Sequence, residues 1–182
     1  DPTDNVAQIA EIAKLFGRIP MFGICLGHQL MALAQGGSTV KLKYGHRGVN
    51  QPARDVCGTR TFLTSQNHGY AVVPESVKTG VIRYVNANDG TCEGIDYPDL
   101  QAFSVQFHPE VHHTPRGAKL YENFVKLAGF TGDWTMASYR DEAIRKIREQ
   151  VGDKRVICGL SGGVDSSVAA VLIHEAIGDQ LT

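Results

Sequence analysis

The chain has 182 residues, enough for one domain and part of a second, and its composition of 42% hydrophobic and 20% charged residues is that of a globular protein. A formal net charge of −1 gives no basic surface for nucleic acid or anionic lipid, and the sequence has neither a membrane-length apolar run nor a signal peptide. The four cysteines lack the spacing of a disulfide framework or a metal site, so we expect a reduced, cytoplasmic protein without a nucleic-acid or membrane partner.

The first predicted element is a helix that Thr3 or Asp4 can cap and that Gly17 ends. Its apolar stripe is formed by Val6, Ile9, Ala13 and Phe16. A doubly wound sheet normally begins with a strand, and no strand precedes this helix. We therefore expect the chain to be truncated at its N-terminus.

A strand over residues 19–24, the turn Gly23-Ile24-Cys25-Leu26-Gly27 and a helix that ends near Gly36 come next. A cysteine at a bend between strand and helix matches the nucleophile elbow, with sulfur in place of oxygen. We expect the glycines to leave room for a strained backbone and the helix N-terminus to favour the thiolate of Cys25. A buried structural cysteine is the alternative that Cys25 alone leaves open.

The middle of the chain is predicted to be rich in strands. We expect a strand and then an irregular loop over residues 40–50, and a strand over residues 61–65 that enters Gln66-Asn67-His68-Gly69-Tyr70. The turn signal at residues 88–90 predicts a hairpin between strands 81–85 and 92–97. A further strand over residues 100–107 leads into His108-Pro109-Glu110.

The stretch His108-Pro109-Glu110 carries the second chemical signal. Residues two apart in extended backbone point the same way, so His108 and Glu110 can both face the crevice at the end of a sheet. A histidine near Cys25 can take its proton and return it to a leaving amine, while a carboxylate fixes the histidine tautomer. A surface turn is the alternative, but together with the cysteine elbow the pattern favours a catalytic triad.

The remaining elements are predicted to be three helices and a strand. A helix begins at Thr114-Pro115, and residues 129–133 form a linker that is the candidate domain boundary. A second helix covers about residues 136–151, a short strand covers residues 155–160, and a last helix begins at Ser166 or Ser167.

The loop between this strand and the last helix reads Ser161-Gly162-Gly163-Val164-Asp165-Ser166-Ser167. Backbone N–H groups of a glycine-rich turn at a helix N-terminus, helped by serine hydroxyls, can hold a pyrophosphate. Asp165 is a candidate Mg²⁺ ligand. No lysine follows the glycines, so the loop is not a Walker motif, and a generic serine–glycine loop is the alternative.

The two motifs Gly-Ile-Cys-Leu-Gly-His-Gln at residues 23–29 and Gln-Phe-His-Pro-Glu at residues 106–110 resemble those of class I glutamine amidotransferases. The resemblance covers roughly residues 1–128 and implies a flavodoxin-like α/β domain. It implies that Cys25 is the nucleophile, His108 the general base and acid, and Glu110 its orienting partner. The implied glutamine site contains Leu26, whose N–H is an oxyanion donor, together with Gln29, Asn67, Gly69 and Tyr70.

Two enzyme families share the finer resemblance. Residues 1–107 are most similar to the small chain of carbamoyl-phosphate synthetase, through residues 43–52, 64–70 and 88–91. Residues 108–182 are most similar to GMP synthetase, through residues 108–114, 132–135, 147–152 and 161–167. The second resemblance implies ATP, Mg²⁺ and XMP as ligands of a synthetase half. A natural mosaic, a chimera and a designed sequence all remain open.

The sequence thus predicts an α/β fold with mainly parallel strands and three segments. These are a truncated amidotransferase domain over residues 1–128, a linker and helix over residues 129–153, and an incomplete ATP-pyrophosphatase domain over residues 154–182. Glutamine hydrolysis would supply ammonia for amination of XMP to GMP, or for carbamoyl-phosphate synthesis in the alternative. A cysteine hydrolase of the α/β-hydrolase type and an inactive binding module are further alternatives, and oligomers are possible.

Overall fold

A computed structural model of the chain describes residues 1–133 and 135–182. The chain divides into two compact units, Asp1–Phe130 and Thr131–Thr182. The predicted limits of the three functional segments stay predictions. The motif residue Trp134, part of the resemblance to GMP synthetase, lies outside the described residues.

A six-stranded sheet forms the centre of the first unit. Its strands are β1 (Met21–Ile24), β2 (Thr39–Asp55), β3 (Thr61–Val72), β4 (Val81–Asn86), β5 (Cys92–Tyr97) and β6 (Ala102–Val105). Their order is β1-β6-β5-β3-β2-β4, with β4 also paired to β5. Only β1 and β6 pair in parallel among the described strands, and the other pairings are antiparallel. The prediction of a mainly parallel sheet is therefore wrong, because hairpins and not helical crossovers connect most of these strands.

Three helices belong to this unit: α1 (Val6–Leu15), α2 (Leu26–Ala34) and α3 (Gly117–Leu127). The predicted caps of α1 are wrong, since Asn5 is its N-cap residue and residues 2–4 form a 3-10 turn that Asp1 caps. Of the predicted apolar stripe, Ile9 and Phe16 are half-buried, whereas Ala13 is exposed and Val6 is 70% exposed. Ile12, which was not predicted, packs on the core beside Phe16. The start of α3 at Gly117 is later than predicted, because the hydroxyl of Thr114 bonds the backbone of neighbouring segments.

The long hairpin of β2 and β3 differs most from prediction. The stretch 40–50 was predicted to end in an irregular loop, yet β2 continues through it as a strand with register shifts after Lys41 and Gly48. Gly45 and Gly48 have φ of 72° and 122°, so these glycines allow bulges within the strand. The strand predicted over residues 61–65 is also longer than expected, because β3 continues through Asn67-His68-Gly69 to Val72.

The core lies between α2 and the sheet. Its buried members are Met31, Ala32, Val72, Cys92, Ile95, Tyr97 and Ala102. Burial of each larger apolar side chain in such a cluster contributes about 1.5–3 kcal/mol. A smaller cluster of Ala53, Val105 and Phe107 packs against Leu120 of α3. These contacts hold α2 and β6, which follow and pair with β1, at the edge of the sheet where the candidate site lies.

The second unit contains the helices α4 (Met136–Val151) and α5 (Val164–Ile177). The limits predicted for α4 are confirmed, whereas α5 begins two residues before the predicted Ser166. The strand predicted over residues 155–160 is reduced to one parallel bridge between Val156 and Leu181. Arg148 ties the helices together, because its guanidinium donates to the carbonyl oxygens of Glu175 and Ala176. Within the described residues no helix is both long and apolar enough to cross a membrane.

Candidate active site

The parallel pairing of β1 with β6 places the two predicted catalytic segments at one edge of the sheet. Ile24 is opposite Val105, and the backbone N–H of Cys25 donates to the Val105 carbonyl at 2.9 Å. Cys25 directly follows β1, and the segment with His108 directly follows β6. Carboxyl ends of adjacent parallel strands meet at the same edge, where active sites of α/β folds lie.

Cys25 occupies a strained bend, with φ of 53° and ψ of −107°. A non-glycine residue at positive φ costs about 1–3 kcal/mol and persists only where surrounding contacts hold it. Gly23 allows the bend, because a Cβ there would lie 2.9 Å from the backbone carbonyl of Gly27 and would overlap the Met31 sulfur. Gly27 was expected to leave room for the bend as well, but a Cβ at Gly27 would meet nothing within 4 Å, so the bend does not require a glycine there.

A chain of buried amides supports the thiol. The amide nitrogen of Gln106 lies 3.7 Å from Cys25 Sγ, and Gln106 is fully buried. Gln29 donates to Gln106 Oε1 at 2.9 Å and to the carbonyl of Tyr70 at 2.8 Å. Both amide hydrogens of Gln29, a residue implied to hold glutamine, are therefore committed to protein acceptors, and its predicted contact with glutamine stays a prediction.

The electrostatics of Cys25 differ from the expectation of a readily formed thiolate. Burial raises the pKa of the Cys25 thiol above its ordinary value, and the negative charge of Glu110 adds to this. Hydrogen bonds from the Leu26 backbone and the Gln106 amide act in the opposite direction, as expected at a helix N-terminus, but the pKa stays raised. The thiol therefore needs a base before it can react.

His108 and Glu110 form the pair that the sequence predicts. Nδ1 of His108 lies 2.7 Å from Oε1 of Glu110, so Nδ1–H donates to the carboxylate and Nε2 is left with its lone pair. The backbone of His108 is also fixed, because its N–H donates to the Ser65 carbonyl at 2.9 Å and its carbonyl accepts from the Thr114 hydroxyl at 2.7 Å.

Two of these supporting residues were missed by sequence reasoning. Gln106 lies two residues before His108, so the alternation of extended backbone could have placed it on the same face. Thr114 bridges Ser65 and His108, with its hydroxyl also accepting from the Ser65 N–H at 3.1 Å. No sequence signal indicates this contact, because Ser65 and Thr114 are 49 residues apart.

A cavity of about 320 Å³ opens beside Cys25. It is lined by Asp1, Pro2, Asn5, Cys25, Leu26, Gln29, Asn67, His68, Gly69 and Tyr70. All five residues implied to bind glutamine line this space, three of them from β3. His108 and Glu110 are not among the lining residues. The arrangement is a polar cavity with a thiol at its wall, large enough for an amino-acid side chain.

The loop of residues 161–167 lies in the second unit, mostly exposed, at the N-terminus of the 14-residue helix α5. Gly162 has φ of 83°, and a Cβ at Gly162 would meet nothing within 4 Å. The serine hydroxyls bond within the loop: Ser161 to Ser166 at 2.9 Å, and Ser167 to the Gly163 carbonyl at 2.9 Å. The loop has the open form of an anion site, and its ligands stay predictions.

The predicted magnesium ligand, Asp165, can be compared with groups of potential ligand side chains that lie close together. Within the part of the chain that the structure describes, one group of three His, Cys, Asp or Glu side chains could hold a metal ion: His46, His68 and Glu93. Asp165 is not a member, and its role as a ligand stays a prediction.

Comparison with protein families gives two matches. Residues 1–128 match the model of the class-I glutamine amidotransferase family, and residues 136–182 match that of NAD synthase. Glutamine-hydrolysing GMP synthases from Cereibacter sphaeroides and Nitrobacter hamburgensis are 50% and 47% identical to this chain. They cover 90% and 98% of it, whereas the chain covers 33% and 35% of their lengths. The chain therefore spans about a third of the curated relatives it matches.

Two solved structures have a similar fold. A GMP synthase-type protein from Thermoplasma acidophilum superposes with a TM-score of 0.60 at 23% identity, covering 80% of this chain and 71% of its own. A glutamine amidotransferase from Thermotoga maritima gives a TM-score of 0.51 at 19% identity, covering 96% of this chain and 62% of its own. At these identities the similarity establishes the α/β fold alone.

Proposed function

This chain belongs to the class-I glutamine amidotransferase family, and from that premise we propose that it hydrolyses the side-chain amide of glutamine and supplies the ammonia to a synthetase. One observation carries the proposal: Cys25, held at positive φ between a strand and a helix, borders a polar cavity of about 320 Å³. Backbone strain of this kind clusters at functional sites, so the bend at Cys25 supports a catalytic role.

The proposed reaction begins when His108 Nε2 takes the thiol proton and Cys25 Sγ attacks the amide carbon of glutamine. The N–H of Leu26 stabilises the oxyanion that forms on the amide oxygen. The tetrahedral intermediate collapses as His108 returns the proton to the amide nitrogen, which leaves as ammonia. A water molecule then hydrolyses the γ-glutamyl thioester, releasing glutamate and restoring the thiol.

Glu110 is proposed to act on His108 and not on the substrate. Its 2.7 Å hydrogen bond to Nδ1 fixes the tautomer and stabilises the imidazolium that forms during attack. This matters because burial raises the pKa of the Cys25 thiol, so the proton must be removed in the course of the reaction.

Glutamine is proposed to bind between Cys25 and the end of β3, where Asn67, Gly69 and Tyr70 line the cavity. Gln29 is proposed to shape this wall as well as to contact glutamine, because it donates to the Tyr70 carbonyl.

The ammonia acceptor is proposed to be XMP, giving GMP. The second unit carries the start of an ATP-pyrophosphatase-like domain, as the NAD synthase match over residues 136–182 shows. We propose that the open loop Ser161–Ser167 holds the pyrophosphate of ATP at the N-terminus of α5, with Asp165 helping to hold Mg²⁺. The GMP synthases that resemble this chain cover at least 90% of it, so their likeness extends over the amidotransferase half as well.

One observation favours a second use of the ammonia, in carbamoyl-phosphate synthesis. Residues 43–52 and 64–70 resemble the small chain of carbamoyl-phosphate synthetase, and these segments form the β2–β3 hairpin beside the cavity. In this alternative the same glutaminase chemistry would feed ammonia to a separate large chain. The match of the second unit to NAD synthase favours XMP instead.

Glutamate release from glutamine by the purified chain tests the proposal. Cys25→Ser should lower the turnover by about 10³-fold or more, because a serine hydroxyl lacks the nucleophilicity of the thiol at this position. Cys57→Ser, which alters an exposed cysteine, is the matched control and should leave turnover unchanged. Turnover that survives Cys25→Ser would contradict the proposed mechanism.

A further inference from the structure

A buried cluster of His46, His68 and Glu93 lies next to the cavity, which His68 also lines, on β2, β3 and β5. One potential ligand atom from each residue lies within 4.8 Å of the other two. Glu93 is fully buried, and the side chain of His46 is 12% exposed. We propose that these three side chains form a zinc-binding site, which the glutaminase reaction does not require.

The carboxylate of Glu93 has neutral hydrogen-bond donors, and beside it lies the imidazole of His46, which can carry a positive charge only when it is protonated. It accepts from the amides of Gln66 at 2.8 Å and Asn86 at 3.1 Å. A carboxylate removed from water needs a compensating charge, and neutral amides supply only hydrogen bonds. A divalent cation beside Glu93 would supply that charge in place of a proton on His46.

His46 is oriented as a metal ligand. Its Nε2 lies 2.9 Å from the Asp89 carboxylate, so in the neutral imidazole the hydrogen is on Nε2 and the lone pair is on Nδ1. Nδ1 is buried without a hydrogen-bond partner and lies 3.4 Å from Glu93 Oε1. A carboxylate behind a histidine is the usual outer partner of a zinc-bound imidazole.

The separation between His46 and Glu93 also fits the ion. With zinc bonds of about 2.0–2.2 Å, ligand atoms around a tetrahedral ion lie about 3.3 Å apart. The observed 3.4 Å between Nδ1 and Oε1 agrees with this spacing, so a zinc ion can bridge the two atoms without their moving apart.

One ring nitrogen of His68 faces an oxygen atom to which it cannot donate when the ring is neutral. Its Nδ1 lies 2.7 Å from the Tyr70 carbonyl, and its Nε2 lies 2.9 Å from Gln66 Oε1. A neutral imidazole has one N–H, so with Nδ1–H donated to Tyr70 the Nε2 lone pair faces an oxygen lone pair. A cation accepting the Nε2 lone pair would relieve that opposition, and the amide oxygen of Gln66 is then a candidate fourth ligand.

The backbone brings the two imidazoles together. Gly45, at φ of 72°, precedes His46, and a Cβ on it would overlap the backbone carbonyl of His68. The rings then meet edge to face with centroids 5.0 Å apart. Imidazole and carboxylate ligands suit Zn²⁺, which accepts three protein ligands with a fourth from an amide or water.

Zinc at this position would tie three strands together beside the substrate wall. His68 lies between Asn67 and Gly69, and all three line the cavity next to Cys25. The ion would hold that part of β3 at a fixed distance from β2 and β5.

Titration of the metal-free chain, prepared without a histidine tag, with Zn²⁺ against a chelating indicator tests the proposal. We expect one zinc ion per chain, retained through dialysis. His46→Gln and Glu93→Gln should each weaken zinc binding by at least about 100-fold, and Asp89→Asn, which leaves all three ligands, by about 10–100-fold. His46 lies at the partly exposed side of the cluster, so His46→Gln decides the matter if Glu93→Gln does not fold.

Matched controls separate this site from other zinc ligands on the chain. His112→Gln and His113→Gln alter two exposed histidines, and Cys25→Ser removes the half-buried thiol at the neighbouring cavity; none should change zinc affinity. The Co²⁺-loaded chain should show tetrahedral visible bands without a thiolate charge-transfer band. Failure to bind zinc at micromolar concentration, binding that survives His46→Gln, or binding lost in Cys25→Ser would each overturn the proposal.

Discussion

The surroundings of Cys25 favour its thiol form over the thiolate. Burial raises its pKa, and the negative charge of Glu110 raises it further. The same carboxylate accepts a hydrogen bond from His108 Nδ1, so one group both orients the proposed base and disfavours a free thiolate at Cys25. In the proposed mechanism the proton therefore moves to His108 as sulfur attacks, and little thiolate exists beforehand.

If His108 is the general base and acid, its removal should cause a large loss of glutamine hydrolysis that removal of other histidines does not cause. His108→Ala should lower glutamine hydrolysis by about 10²–10⁴-fold, the usual contribution of a general acid–base group. His112→Ala and His113→Ala should leave the rate near that of the wild type, since both side chains are exposed. Steady-state glutamate release measures all three variants. A His108→Ala protein with wild-type turnover would remove the triad from the account.

His28 predicts a pH dependence of stability. Burial lowers its pKa from 6.5 to about 3, with the charge of His68 contributing. Its Nδ1 lies 2.9 Å from the Ser104 hydroxyl, while Nε2 is buried without a partner. The unfolded chain therefore binds one more proton between those pH values. The free energy of unfolding should fall as pH decreases from about 6.5 towards 3, by at most about 1.4 kcal/mol per pH unit.

Urea denaturation at pH 6.5 and pH 4.5 measures this contribution. The loss of stability on acidification should be smaller in His28→Asn than in the wild type, because the variant has no buried imidazole to protonate on unfolding. His112→Asn, an exposed histidine, should keep the wild-type dependence. If His28→Asn and the wild type lose the same free energy of unfolding between pH 6.5 and pH 4.5, His28 is not the source of the pH dependence.

At the scale of elements, the bend between β1 and α2 depends on close packing at Gly23. Gly23→Ala should lower the free energy of unfolding by about 1–3 kcal/mol, since the added methyl group would lie 2.9 Å from the Gly27 backbone carbonyl. Gly27→Ala is the matched control, because its methyl group would point into open space within a helix. We expect Gly27→Ala to be neutral or stabilising by up to about 1 kcal/mol.

Urea denaturation at one pH compares the two variants. Equal stability of Gly23→Ala and Gly27→Ala would show that the tight packing around the bend is not a determinant of the fold.

Secondary-structure elements that depend on neighbouring residues in the chain were predicted correctly from the sequence. The limits of α4 follow from its periodicity and from Gly152, and the β4–β5 hairpin follows from its turn residues. The predictions of a mainly parallel sheet and of a strand over residues 155–160 were wrong, because strand pairing depends on segments that are distant in the sequence. The glycines in β2 suggested a loop, yet register shifts against β3 keep that segment in the sheet.

The candidate site divides in the same way. The elbow around Cys25 and the pair His108–Glu110 have short motifs, so the sequence indicates them, although their catalytic roles stay predictions. Gln106 and Thr114 act through contacts between segments far apart in the chain. The cluster of His46, His68 and Glu93 is likewise assembled from three strands, and its spacing in the sequence resembles no metal motif.

At the scale of the molecule, the two units carry different candidate chemistries. The first holds a thiol beside a polar cavity, and the second holds an open glycine–serine loop at a helix N-terminus. The family matches follow the same division, with one model over residues 1–128 and another over residues 136–182. The proposed function as a whole depends on the first unit acting on glutamine through Cys25.

Covalent labelling with a chloroketone analogue of glutamine, followed by mass spectrometric peptide mapping, tests that claim most directly. We predict modification of Cys25 at one equivalent per chain, protection by excess glutamine, and no comparable labelling of the exposed Cys57. The analogue occupies the cavity and places its electrophilic carbon at the sulfur, so selectivity follows from binding and not from exposure. Labelling of Cys57 with Cys25 unmodified, or labelling of Cys25 that excess glutamine does not slow, would contradict the proposed function.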